Sequence, residues 1–191
     1  MTTPRNPEQN FDNATMLDAV LLEISIKLRQ NLSWLNNSYT AAQKLQKTGE
    51  NGKLIYYPAV FVGGTEYLGL LPDSHLGNYS FFRMRDPEEI EFYARNVNKI
   101  TATFDLIVWF DLRKVYPLET GRNIEHVKSD LLKHFRSMTL TRGTIILEQI
   151  FKDAKNIYSD YTINETEHGQ FMMHPYGALM IRGKLIYKED C

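Results

Sequence analysis

The chain has 191 residues, long enough for one domain with a buried core. Hydrophobic residues make up 43% and charged residues 24%, a balance that excludes wholesale disorder. The 22 Lys and Arg nearly cancel the 23 Asp and Glu, so no global charge drives the chain toward nucleic acid or an anionic membrane.

Residues 1–13 are polar, carry Pro4 and Pro7, and offer only Phe11 as an apolar anchor, so they read as an arm outside the core. They lack the apolar stretch of a signal peptide, and no window approaches the roughly 18 apolar residues of a membrane span. Synthesis in the cytoplasm, with no membrane partner, is expected. A long helix is predicted from Ala14 to Lys47 with Asn13 as its cap. Its basis is the helical spacing of Leu17, Val20, Leu21, Ile24, Leu28, Leu32 and Leu35, whose plain reading is core packing. Gly49 and Gly52 end it. Lys53–Val62 reads as a strand that Pro58 assigns to an edge or a bulge. A long loop marked by Gly63, Gly64, Gly69, Pro72 and Gly77 then fills residues 63–80, and loops of that length usually have a role. Tyr79–Met84 is a short strand. Glu88–Arg95 is either the hairpin neighbour of the next strand or, from Asp86-Pro87-Glu88-Glu89, the start of a helical turn.

Val97–Val115 is the clearest strand. Ile100, Ala102, Phe104, Leu106, Val108, Phe110 and Leu112 alternate with Thr101, Thr103, Asp105, Ile107, Trp109 and Asp111, which predicts one buried and one partly wet face. Asn123–Met138 is an amphipathic helix with Ile124, Val127, Leu131, Phe135 and Met138 inward. Ile145–Tyr158 is read as helical from Ile146, Ile150, Ala154 and Ile157. Tyr176–Lys188 closes the chain as a strand in which Leu179, Ile181, Leu185 and Tyr187 alternate with polar positions. The expected fold is α+β: an antiparallel sheet carrying the long N-terminal helix and one or two further helices on one face, as a single domain over residues 14–191.

Signatures of catalysis and cofactor binding are weak. Neither a Walker loop nor a G-x-G-x-x-G opens a helix, and Gly63-Gly64 reads as a turn. The lone Cys191 supports neither an internal disulfide nor a thiolate cage. His126, Asp130 and His134 share one helix face at ligand spacing, but polar residues opposite an apolar stripe are what any surface helix carries. Asp73-Ser74-His75 are chain neighbours and cannot form a relay. Glu88-Glu89, Asp105 with Asp111, and Glu165 with Glu167 read as solvated carboxylates. No enzyme and no cofactor are expected. Arg83 and Arg85 beside Phe81-Phe82, with Arg182 and Lys184, have the texture of a nucleic-acid contact, although snorkelling basic residues on a structural strand explain them better.

The order of elements, closing with helix, YTINETEHGQ loop, Met173-His174-Pro175-Tyr176 turn and alternating strand, resembles bacteriophage tail-terminator and head–tail connector ring proteins. It is similar to proteins of Bacteroides phages and prophages, including the crAss-like group, over residues 14–191. The resemblance implies a structural virion protein of the neck or tail, made in the bacterial host. It implies a closed ring, hexameric or dodecameric, stacked against portal, connector or tail proteins, with passing DNA as a non-specific contact. Under it the candidate subunit contacts are Phe11, Tyr67, Leu70, Leu71, His75, Trp109 and Tyr176. Such rings need edge strands that close by heterologous contacts. The alternative is a cytosolic small-ligand-binding protein or enzyme on an α+β scaffold.

Overall fold

The computed structural model describes Gln9 and residues 13–49, 52–63, 66–94, 97–117 and 123–189. Its elements are α1 (Met16–Asn31), β1 (Asn37–Ala41), β2 (Gln43–Thr48), β3 (Leu54–Gly63), β4 (Glu66–Gly69), β5 (Tyr79–Ala94) and β6 (Val97–Asp111). There follow α2 (Leu112–Val115), α3 (Ile124–Ser137), β7 (Gly143–Phe151), α4 (Ala154–Ile157), α5 (Glu165–His168) and β8 (Tyr176–Lys188). The fold is α+β. A five-stranded sheet has the order β1-β5-β6-β8-β7, and a three-stranded sheet the order β2-β3-β4. Among the described residues only the β1–β5 pair is parallel.

Strand β6 organises the molecule because its strict alternation has both faces to satisfy. Ile100, Ala102, Phe104, Leu106, Val108 and Phe110 enter one hydrophobic cluster together with Leu179, Ile181, Leu185 and Tyr187 of β8. Val20, Leu21, Ile24 and Leu28 of α1 and Val127, Leu131 and Phe135 of α3 complete it, so both helices cover this first face. The opposite face was expected to be partly wet, yet Ile107 and Trp109 are buried there in a second cluster. That cluster joins Tyr79 and Phe81 of β5, Ala178 and Met180 of β8, Val60 of the small sheet, and Ala154, Ile157 and Tyr158 around α4. The small sheet and the α4 segment supply the cover that sequence alternation alone does not reveal.

Several expectations are corrected. The predicted helix 14–47 stops at Asn31, and residues 37–48 form β1 and β2 instead. Asn36 and Asn37 donate their N–H groups to the Asn78 carbonyl at 2.9 and 3.1 Å, so a tertiary partner captures the backbone that a helix would have used. Tyr39 and Thr40 then favour a strand. Asn13 is not the cap: Thr15 occupies that position without a side-chain bond. Gly49 and Gly52 close the β2–β3 hairpin, where Gly52 takes φ +70°. Pro58 lies in the central strand of the small sheet. Its carbonyl accepts from Leu70 N–H, so its missing donor faces the side on which β4 has already ended.

The predicted loop 63–80 is largely built. It contains β4 and a single 3-10 turn at Ser74–Leu76, capped by Asp73. Residues from 88 onward are the hairpin neighbour of β6 rather than a helical turn, and they join the predicted short strand in one strand, 79–94, with a register shift between Arg85 and Glu89. Residues 145–151 belong to a strand: Ile145 and Leu147 are half-buried while Thr144, Ile146 and Glu148 are exposed. Val97–Val115 breaks after Asp111, which caps α2. The last strand spans Tyr176–Lys188 as its alternation requires.

Candidate functional site

Sheet register brings together four basic residues that the sequence holds in two separate places. Arg83 of β5 pairs across with Asp105 of β6, and Asp105 with Arg182 of β8; Arg85 and Lys184 occupy the next row with Thr103 between them. The Asp105 carboxylate is fully buried and receives hydrogen bonds from three guanidinium groups. Arg83 Nη2 lies at 2.8 Å, Arg85 Nε at 2.6 Å and Arg182 Nε at 2.8 Å. Burial pushes the carboxyl upward, but the bonds from Arg182, Arg83 and Arg85 outweigh it and hold Asp105 below the usual carboxylate range. Arg83 also reaches Asp160 at 2.6 Å, and Arg182 lies over the Phe151 ring. These arginines thus seal the edge of the second cluster and fix the three central strands, a structural task that accounts for each of them.

The residues singled out as metal ligands do not converge. Asp130 accepts from the Tyr116 hydroxyl at 2.8 Å, and His126 packs edge-on against the same ring. His134 Nε2 is buried without a hydrogen-bond partner, and burial lowers its pKa. Among the described residues no three His, Cys, Asp or Glu side chains form a metal site. Asp73 and His75 meet only through the backbone N–H of His75. Asp111 holds Arg113 at 2.9 Å through both oxygens and stands apart from Asp105.

The contact candidates divide. Leu70 and Trp109 are buried within the chain, so they are core side chains rather than contact residues. Trp109 Nε1 donates to the Phe171 carbonyl at 2.9 Å and its ring stacks on Tyr176. Tyr176 is half-buried and accepts a cation–π contact from Arg113. Tyr67 and His75 are exposed, and Leu71 lines a groove of about 1140 Å³. That groove runs between the small sheet and residues 162–168, with Lys47, Lys53, Asp73 and Glu167 along it. Phe11, Cys191 and most of the 1–13 arm lie outside the described residues. Gln9 is described, and its side chain accepts from Thr40 N–H at 2.7 Å and donates to the Phe61 carbonyl at 3.0 Å.

A feature the sequence reading passed over is the far half of β5. Strand β1 pairs with β5 only from Tyr79 to Phe82, so beyond that point the outer edge of β5 has no strand beside it among the described residues. This stretch presents Ile90 and Phe92 at 71% and 73% exposure, both on the face that carries the main core. Acidic Asp86, Glu88, Glu89 and Glu91 surround them, and Lys99 pairs with Glu91. At the opposite end of the sheet the outer edge of β7 is also without a strand among the described residues, and Ile146 is exposed on it. The signal in the sequence was the pair Ile90 and Phe92, apolar at strand spacing within an acidic run. No helix among the described residues is long and apolar enough to cross a membrane. No known protein family matches the sequence, and no curated protein matches it.

Proposed function

We propose that this protein is a structural subunit that assembles with copies of itself into a closed ring, of the kind that joins head and tail in a bacteriophage virion. The observation that carries the self-assembly is the unpaired half of β5 with Ile90 and Phe92 exposed on it. Two large apolar side chains on an open strand edge are an unstable surface for a lone chain and a ready one for a partner. Near-neutral net charge suits packing of like with like. The neck or tail location, and the neighbouring portal, connector or tail proteins, rest on the resemblance in element order.

The test is the mass of the purified chain in solution with electron micrographs of the same sample. Rings of uniform size are the expected result, and Ile90→Lys with Phe92→Lys shifts the population toward monomer by at least tenfold in dissociation constant. A chain that stays monomeric at high concentration overturns the assembly reading. The groove between the small sheet and residues 162–168 favours a second reading, a small-ligand-binding protein. A stable monomer whose melting temperature rises with one compound of a metabolite library supports that reading instead.

A further inference from the structure

The ladder registers determine how such copies meet. Reading across the large sheet, Ile90 pairs with Ile100, Ile100 with Tyr187 and Tyr187 with Gly143. Seven residues away, Arg83 pairs with Asp105, Asp105 with Arg182 and Arg182 with Gln149. The stretch of β7 from Gly143 to Gln149 therefore lies at the same height along the strands as the free stretch of β5 from Arg83 to Ile90. The two edges overlap over this stretch at opposite sides of the same sheet, and β5 runs on past it to Ala94.

Strand directions agree with this. β5 runs opposite to β6, β6 opposite to β8, and β8 opposite to β7, so β7 runs opposite to β5. A neighbour related by rotation about an axis along the strands keeps its strand directions. Its β5 then meets β7 antiparallel and continues the alternation of the sheet. Because the two edges share one height, the operation needs no rise along the axis, and that separates a closed ring from a helical filament.

Side chains match as well. On the core face Ile90 of the neighbour would face Gly143 with half-buried Ile145 diagonal to it, Met84 would face half-buried Leu147, and Phe92 would lie just past the Gly143 end of β7. The α1 helix leans over this edge, with Val20 beside Gly143 and Glu23 accepting the Thr141 N–H at 2.9 Å. On the other face Lys184 stands one strand in from the β7 edge, where it already pairs with Glu148 of β7 at 3.6 Å. Pro87 lacks an N–H and the bulge at 85–89 interrupts the register, so ladder bonds are confined to two short stretches. The same two features blunt the edge against indiscriminate pairing.

We infer that adjacent copies join edge to edge: the outer edge of β7 in one copy pairs antiparallel with the free half of β5 in the next. This inference rests on the self-assembly proposed above and names its contact.

Glu89 and Thr144 share one row and one face, through Thr101 and Ile186. Within a chain they are three strand spacings apart, roughly 14 Å, too far for a disulfide. Across the inferred contact they become direct neighbours, with Cβ atoms about 5 Å apart. The experiment places Glu89→Cys and Thr144→Cys together in a Cys191→Ser chain and oxidises it at assembly concentration. Glu89→Cys with Lys155→Cys in the same background serves as control, since Lys155 is on α4, away from either edge. A ladder of covalent oligomers from the first pair, absent from the control, is the expected result. Assembly without that ladder, in a double variant whose circular dichroism matches the parent, overturns the edge-to-edge contact and leaves the ring reading standing. A monomeric parent chain overturns both.

Discussion

Asn78 is a single buried side chain on which four parts of the chain depend. Its Nδ2 donates to Trp34 O at 2.8 Å, its Oδ1 accepts from Asp111 N–H at 2.8 Å, and its backbone exchanges bonds with Asn36 and Asn37. It thereby connects the end of α1, the start of β1, the start of β5 and the end of β6. Asn78→Ala leaves the Trp34 carbonyl and the Asp111 amide without partners where water does not reach. The expected cost is about 3 kcal/mol of stability, from two stranded groups at roughly 1–3 kcal/mol each. A denaturant titration of the variant against the parent measures it, and a change under 1 kcal/mol refutes the role. Nothing in the sequence distinguishes Asn78 from the other polar residues of a segment that reads as loop. Its importance arises from what folds around it.

At the scale of elements, close approach is what the sheet demands of Gly183. A Cβ there would lie 2.3 Å from the Ile146 carbonyl oxygen and 2.9 Å from the Phe104 ring. A backbone atom cannot rotate away, so Gly183→Ala must part β8 from β7. A loss of about 3 kcal/mol is expected from such overpacking, read as a lower midpoint in urea. Elements with strict alternation or strict helical periodicity were legible in advance: β6, β8 and α3 lie within a few residues of their predicted spans. The misread elements share a cause. Leu32 and Leu35 continue the apolar spacing of α1 and are buried, yet they sit in a turn, because Asn36 and Asn37 find Asn78. Ile145, Ile146 and Ile150 satisfy a helical and a strand pattern alike, and only the open edge of β8 decides between them. The assembly edge was illegible for the same reason. Whether Ile90 and Phe92 are covered depends on how far β1 extends along β5, and that is a property of pairing, not of either segment.

For the whole molecule, charge linkage predicts acid sensitivity in two windows. His134 is held below its ordinary pKa by burial, so the unfolded chain takes up the proton first and stability falls as pH drops through about 6.5. Asp105 is held low despite burial, by Arg182, Arg83 and Arg85. Its contribution is complete above about pH 4 and is lost as pH falls further, toward its folded pKa. Melting temperatures at pH 7.5, 5.5 and 3.5 should therefore decline in both intervals. His134→Leu should flatten the first interval alone. Asp105→Asn should make the second shallower without abolishing it, since Glu23 and Glu125 are also held below the carboxylate range, and should start lower because three guanidinium groups lose their anion. A first-interval decline that persists undiminished in His134→Leu would refute the assignment.

The place of β8 between β6 and β7 has a further consequence, in time rather than space. Synthesis delivers β6 and β7 before β8, so β7 has no strand beside it and β6 has only β5 until β8 has been made. The β5–β6 hairpin needs only local contacts and forms early, whereas the β6–β8 pairing closes a far longer stretch of chain and the β7–β8 pairing waits for the same strand. During that interval both β6 and β7 expose apolar edges to the crowded milieu of the ribosome. A chain interrupted before Tyr176 is thus left permanently in the sticky state, and it can neither dock β7 nor offer a ring a finished edge.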